Sequence, residues 1–153
     1  MRAALIGLLA ALPWVAGGAT PVRLAERQVV TLEFDQPVQR LAVSEEDNYD
    51  VHIVDYEKRE LTWTYGTPEK GGSGPGQFNY PDDAHLLEDG TFLTADIRNC
   101  RVVIIDPATQ KIVTQWGKTG RTHCYHKPPQ YLGAPHGATP RDNGDILITE
   151  IRG

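Results

Sequence analysis

Positive charge is the first thing in short supply: 15 Lys and Arg stand against 20 Asp and Glu, a net charge of −5. A chain of that balance carries no electrostatic footprint for nucleic acid or an anionic membrane surface, so neither is expected as its main partner. Long apolar runs are absent after the N-terminal region, which leaves no stretch of the roughly 18 residues a membrane helix needs. Helical periodicity is missing as well, which excludes a coiled coil. The 15 glycines follow no triplet spacing, which excludes collagen, and 40% hydrophobic against 23% charged residues is the balance of one folded domain rather than a disordered chain. Cysteine is scarce too: Cys100 and Cys124 are the only two.

What is present begins with an address. Met1-Arg2 is a short positive start, Ala3–Leu12 is uncharged and apolar, Pro13 interrupts it, and Gly17-Gly18-Ala19 supplies small residues for a signal peptidase. Residues 1–19 therefore read as a signal peptide, with a secreted or periplasmic/extracellular destination and no membrane span after cleavage. The remaining chain divides into an N-terminal segment, 20–34, and three units, 35–66, 67–117 and 118–153.

Those units repeat one another. At an offset of 54, Pro81 falls on Pro135, Ala84 on Ala138, Asp89-Gly90 on Asn143-Gly144, Asp96 on Glu150 and Arg98 on Arg152. At an offset of 51, Val51–Asp55 falls on Val102–Asp106, Leu61 on Ile112, Tyr65-Gly66 on Trp116-Gly117, Asn48 on Asn99 and Glu45 on Asp96. The three-residue difference falls in the loop between Gly117 and Pro135, where a repeat tolerates an insertion. Within the clearest unit, short runs rich in Val, Ile, Thr and aromatics predict strands at about 83–87, 91–95, 101–105 and 111–116. Glu88-Asp89-Gly90 and Asp106-Pro107-Ala108-Thr109 supply the turns. The expected class is all-β, and four antiparallel strands per unit of roughly 50 residues is the pattern of a β-propeller blade.

Gly74-Pro75-Gly76-Gln77-Phe78-Asn79-Tyr80-Pro81, followed by Asp89-Gly90, Ala95-Asp96, Asn99, Arg101-Val102 and Gln115-Trp116-Gly117, resembles the NHL repeat. The resemblance implies a six-bladed propeller, and it extends to secreted propellers such as peptidyl-amidoglycolate lyases and arylsulfotransferase-like proteins. The chain departs from the pattern at Cys100, where His is common, and at Asp83, where Gly usually follows the Pro. Only about two and a half blades are present against the four or more a ring needs, so the chain is expected to be a fragment, completed by further blades in a longer chain or by other copies.

Strand parity places the loops after the second and fourth strands on one face. That face gathers Asp96, Arg98, Asn99 and Cys100 with His123, Cys124, His126 and His136, and neighbouring repeats add Glu45, Asp47, Asp82, Asp83, Glu150 and Arg152. The two cysteines of an exported chain favour a disulfide; the alternatives are a zinc set with His123 and His126, or free thiols. His136, opening an inner strand, is a candidate general base or metal ligand at a position that resembles those used by lyase-type propellers, although a histidine that only packs or hydrogen-bonds there is the commoner case. Arg98 and Arg152 either form ion pairs between repeats or clamp an anion bidentately. The run Glu45-Glu46-Asp47-Asn48 offers oxygen ligands to Ca²⁺ or is a solvated loop. Trp63, Tyr65 and Trp116 are expected to pack between repeats. Gly117-Lys118-Thr119 lacks the earlier glycine of a phosphate loop, since Ile112 stands there.

Two functions follow as expectations. One is an exported NHL-like propeller that binds a protein or small ligand through its loop face, with Asp82, Asp83, Asp96, Arg98, Glu150 and Arg152 as contacts. The other is a propeller enzyme, a metal-assisted lyase, a hydrolase or an arylsulfotransferase-like protein, acting on a small anionic substrate. In it His136 is catalytic, and Zn²⁺ or Ca²⁺ is the cofactor of the full-length protein.

Overall fold

The computed structural model describes residues 38–119 and 124–152. The signal segment 1–19, the segment 20–34 and His123 lie outside the described residues. Those described form nine strands: β1 (Arg40–Glu45), β2 (Asp50–Asp55), β3 (Glu60–Gly66), β4 (Pro81–Leu86), β5 (Phe92–Asp96), β6 (Arg101–Asp106), β7 (Lys111–Gly117), β8 (Pro135–Pro140) and β9 (Ile146–Glu150). They make three antiparallel sheets in chain order, β1-β2-β3, β4-β5-β6-β7 and β8-β9. Among the described residues no helix is long and apolar enough to cross a membrane.

The sheets repeat in register and in their irregularities. Glu45 faces Asp50 and Asp50 faces Gly66 in the first sheet, as Asp96 faces Arg101 and Arg101 faces Gly117 in the second. Pairing slips between Ile53 and Val54 and again between Ile104 and Ile105, 51 residues on. It slips between Asp82 and Ala84 and again between Pro135 and Gly137. Single 3₁₀ turns, Glu46–Asn48 and Ile97–Asn99, link the corresponding strands, and each ends on a left-handed residue, Tyr49 and Cys100. A bulge or a left-handed residue is set by specific local contacts, so its recurrence at a fixed offset is stronger support for a repeat than recurrence of apolar residues.

Side-chain chemistry explains several of these features. At the β4–β5 turn Asp89 Oδ1 accepts the Thr91 N–H at 2.9 Å, and at the β8–β9 turn Asn143 Oδ1 accepts the Asp145 N–H at 3.1 Å. Both are Asx turns, in which a short polar side chain replaces a backbone acceptor. A Cβ on Gly66 would lie 2.4 Å from Tyr49 O, and one on Gly117 would lie 2.2 Å from Cys100 O. Glycine after the aromatic is therefore a packing requirement of both sheets. The β4 strand begins at Pro81, two residues before the expected start, because the pairing with β5 continues past the bulge to Asp96. Just outside that strand, Tyr80 O accepts from Ile97 and Asn79 O from Arg98; 54 residues on, Ala134 O accepts from Ile151 and Gly133 O from Arg152.

The sheets stack face to face. One core joins Val51, Ile53, Trp63 and Tyr65 of the first sheet to Phe92, Val103 and Ile105 of the second and to Phe78 in the loop before β4. The other joins Leu93, Ala95 and Val102 to Leu132 and Ala138, with Trp116 packed against its margin. Strand alternation sends Phe92 to one core and Leu93 to the other. With both faces covered, β5 and β6 read as continuous apolar runs rather than alternating ones. β4 lies against β1, and β8 lies against both β4 and β5.

Candidate ligand-binding face

The first strands of the second and third sheets bring two imidazole–carboxylate pairs together. Asp82 and His136 occupy equivalent positions of β4 and β8, and His136 Nε2 lies 3.0 Å from Asp82 Oδ2. The next residue, Asp83, sits at the β4 bulge with a left-handed φ of 54°. Its Oδ2 accepts the Ala138 N–H of β8 at 2.9 Å, while its Oδ1 lies 2.9 Å from His85 Nε2 without the alignment of a hydrogen bond. Thr94 Oγ1 donates to Asp83 O at 2.8 Å and holds the bulge to β5. A Cβ on Gly137 would meet Thr149 Oγ1 of β9 at 2.6 Å, so glycine there lets that side chain pack against β8. The first pair is accessible, the His136 side chain being 53% exposed and that of Asp82 28%, whereas the His85 Nε2 atom of the second is buried. Such a group can take a proton, donate to an anion or bind a cation.

The loops on the same side add the second part. Arg98 lies over the Tyr80 ring, its guanidinium carbon 3.4 Å from the centroid, and Tyr80 meets Tyr49 edge-on. This cation–π contact holds the charge at the surface without neutralising it. Hydrogen bonding to Tyr80 raises the Tyr49 hydroxyl above the usual tyrosine value. His126 Nδ1 pairs with Glu150 Oε2, and Arg152 is exposed beside them in sequence. Ion pairing of the two arginines with Asp96 and Glu150, one of the two expectations for them, is not what forms. Asp96 is engaged by Arg101, and Glu150 by His126.

Asp96 also departs from its expected place on the ligand-binding face. It is fully buried, accepting from Asn79 N at 2.8 Å, Asn99 Nδ2 at 2.8 Å and Arg101 Nε at 2.7 Å. Burial pushes its carboxyl above the ordinary value, and Arg101, Asn99 and Asn79 act against that push. It tethers the loop before β4 to the β5–β6 turn and has no surface for a ligand.

Cys100 and Cys124 form a disulfide, tying the β5–β6 turn to the loop before β8. Both sulfurs are thereby removed from the alternative zinc set. His126 and His136 belong to no group of three metal-ligating side chains among the described residues. Of the acidic run, Glu46 and Asp47 face solvent, while Glu45 and Asn48 turn toward Asp50. Trp63 and Tyr65 pack between the first two sheets as expected. His85, which also lies near the inner strand, ranks below His136 as a candidate in sequence, and Arg101 was not a candidate; the signal for Arg101 is its register opposite Asp96. A surface concavity lined by Thr139–Asn143 lies at the other end of β8, remote from these groups.

No family model matches the chain, and no curated protein matches it.

Proposed function

We propose that these sheets are blades of an NHL-like β-propeller of an exported protein, and that the chain binds a small anionic ligand, or an acidic group on a protein, through its loop face. The observation that carries this reading is the repeat itself. Register and the left-handed residues Tyr49/Cys100 and Tyr80/Ala134 recur at 51 and 54 residues, the bulges recur at 51 and 53, and the first strands of successive sheets lie side by side. Propeller ligands bind where such strands and their loops converge. The disulfide is compatible with export. Arg98 and Arg152, one repeat apart and not ion-paired to Asp96 or Glu150, supply cationic donors, and His136 and His126 supply neutral or cationic ones.

The test is an NMR titration of the ¹⁵N-labelled chain with a panel of small carboxylates and sulfates. Shifts are expected at Asp82, Arg98, His126, His136 and Arg152. Shifts confined to the turns at 88–90, 107–109 and 142–144, or none at all, would overturn the reading.

The half-exposed His136–Asp82 pair favours one second reading, a propeller enzyme with His136 as base toward an anionic substrate. Hydrolysis of aryl sulfate and aryl ester probes that disappears in His136→Ala would support it, and absence of turnover in the parent protein would sink it.

A further inference from the structure

On the first sheet, at the β1–β2 turn beside Tyr49, Glu45, Asp50 and His52 converge. One ligand atom from each lies within 4.8 Å of the others. His52 Nε2 is 3.4 Å from Asp50 Oδ1 and 3.7 Å from Glu45 Oε2, longer than hydrogen bonds. A tetrahedral ion held at about 2.0–2.2 Å separates its ligand atoms by roughly 3.3–3.6 Å; the 3.4 Å spacing to Asp50 falls in that range and the 3.7 Å spacing to Glu45 lies just above it.

Two further observations point to a cation. The His52 side chain is only 9% exposed, its Nδ1 is 2.9 Å from Thr64 Oγ1, and its Nε2 lies near both carboxylates and makes no hydrogen bond among the described residues. A partner on one ring nitrogen fixes the imidazole orientation and leaves the other to ligate. The second observation is the repeat. Fifty-one residues on, Asn99 bonds Asp96 as Asn48 bonds Glu45, but there the Arg101 guanidinium neutralises the carboxylate. Asp50 stands in the place of that arginine, and it is 1% exposed. The first sheet thus has two carboxylates where the second has a carboxylate and a cation. Asp50 accepts from Asn48 Nδ2 at 3.1 Å on both oxygens, but a neutral amide does not balance a buried carboxylate as the Arg101 guanidinium does, and a buried charge is costly unless it is paired or bound to metal.

We propose that Glu45, Asp50 and His52 form a binding site for one divalent transition-metal ion of the Zn²⁺ class. One imidazole nitrogen and two carboxylate oxygens suit such an ion better than the all-oxygen shell of Ca²⁺. Glu45, the most exposed of the three side chains at 21%, marks the side from which the ion enters. The site is independent of the loop-face reading.

The experiment titrates the chelator-treated full chain with Zn²⁺ by calorimetry, with Ca²⁺ as the comparison. One Zn²⁺ per chain is expected, weakened about tenfold in Thr64→Val and more than about 100-fold in His52→Ala, the range for supporting residues being 10–100-fold. Asp50→Arg installs the second sheet's side chain; it is expected to fold with an unchanged or higher melting temperature and to bind no Zn²⁺. His126→Ala and His136→Ala leave the titration unaltered. No Zn²⁺ binding, binding of Ca²⁺ in its place, or Zn²⁺ binding that survives Asp50→Arg and falls in His126→Ala or His136→Ala would each overturn the proposal.

Discussion

Among single residues, Asp96 carries the heaviest structural duty. Its carboxylate joins three segments: Asn79 before β4, Asn99 in the 3₁₀ turn and Arg101 on β6. Arg101 is itself only 3% exposed, so removing the carboxylate leaves a buried guanidinium with Gln77 O as its remaining hydrogen-bond partner. Breaking one side of a buried pair costs about 3–5 kcal/mol, much of it from the stranded charge. Asp96→Ala is expected to lose that much in urea denaturation, and a loss below about 1 kcal/mol would refute the tether. Replacing both Asp96 and Arg101 with apolar residues of similar size removes the stranded charge and is expected to recover part of the loss. These pairings were only partly legible in sequence. The offset placed Asp96 against Glu45 and Glu150, but exposure of a carboxylate depends on which way a turn folds, and composition does not carry that. The sign change from Arg101 to Asp50 was readable at the same offset, and its significance emerges only once both residues are seen to be buried.

For the elements, turn chemistry was the most readable layer, because an Asx turn needs one residue type at one position. Asp106 Oδ1 accepts the Ala108 N–H at 2.9 Å, and Oδ2 accepts the Thr109 hydroxyl at 2.8 Å. The Thr109 hydroxyl and the Ala108 N–H hold the Asp106 carboxyl below the ordinary value of 3.8; at Asp89 the Thr91 hydroxyl and N–H do the same, and at Asp55 the Lys58 N–H and ammonium. A carboxyl lowered in the folded state contributes stability that is full above the unfolded value and lost as pH falls through the folded one. Through these three carboxyls the melting temperature is expected to fall below about pH 4, while Asp96, raised by burial, contributes a slope of the opposite sign. Asp106→Asn keeps an acceptor and removes the titration, so its acid slope should be shallower; an unchanged slope would show that other groups control the acid limb. The disulfide belongs to this scale as well. Closing the stretch from Cys100 to Cys124, a separation of 24 residues, is worth about 3 kcal/mol in the loop-entropy model. The double variant Cys100→Ser/Cys124→Ser should lose close to that amount in denaturant melts. Strand bounds were legible to within two residues. The β4 bulge that aims Asp83 at both His85 and Ala138 was not, because period-two reasoning assumes unbroken pairing.

In the molecule as a whole, the middle sheet is covered on both faces, and its two covers are separate. Phe92 and Leu93 are neighbours on β5, and both are fully buried. Phe92 packs at 5.0 Å centroid separation from Trp63 of the first sheet, whereas Leu93 belongs to the core shared with Leu132 and Ala138 on the third-sheet side. Truncating either side chain leaves a cavity costing about 3–5 kcal/mol for Phe→Ala and 2–5 kcal/mol for Leu→Ala. Global stability alone does not distinguish the two variants. Hydrogen exchange does, because local opening is controlled by the contacts nearest the cavity. In Phe92→Ala, amides of β2 and β3 should exchange faster while β8 and β9 keep their protection; in Leu93→Ala the order should reverse. If both variants accelerate all three sheets equally, the chain opens only as one cooperative unit and the two cores do not report on separate interfaces. If the responses segregate, each interface is an independent nearest-neighbour term, as stacked repeats require. A third-sheet response to Phe92→Ala alone would place the first and third sheets in direct contact and contradict the stacking order.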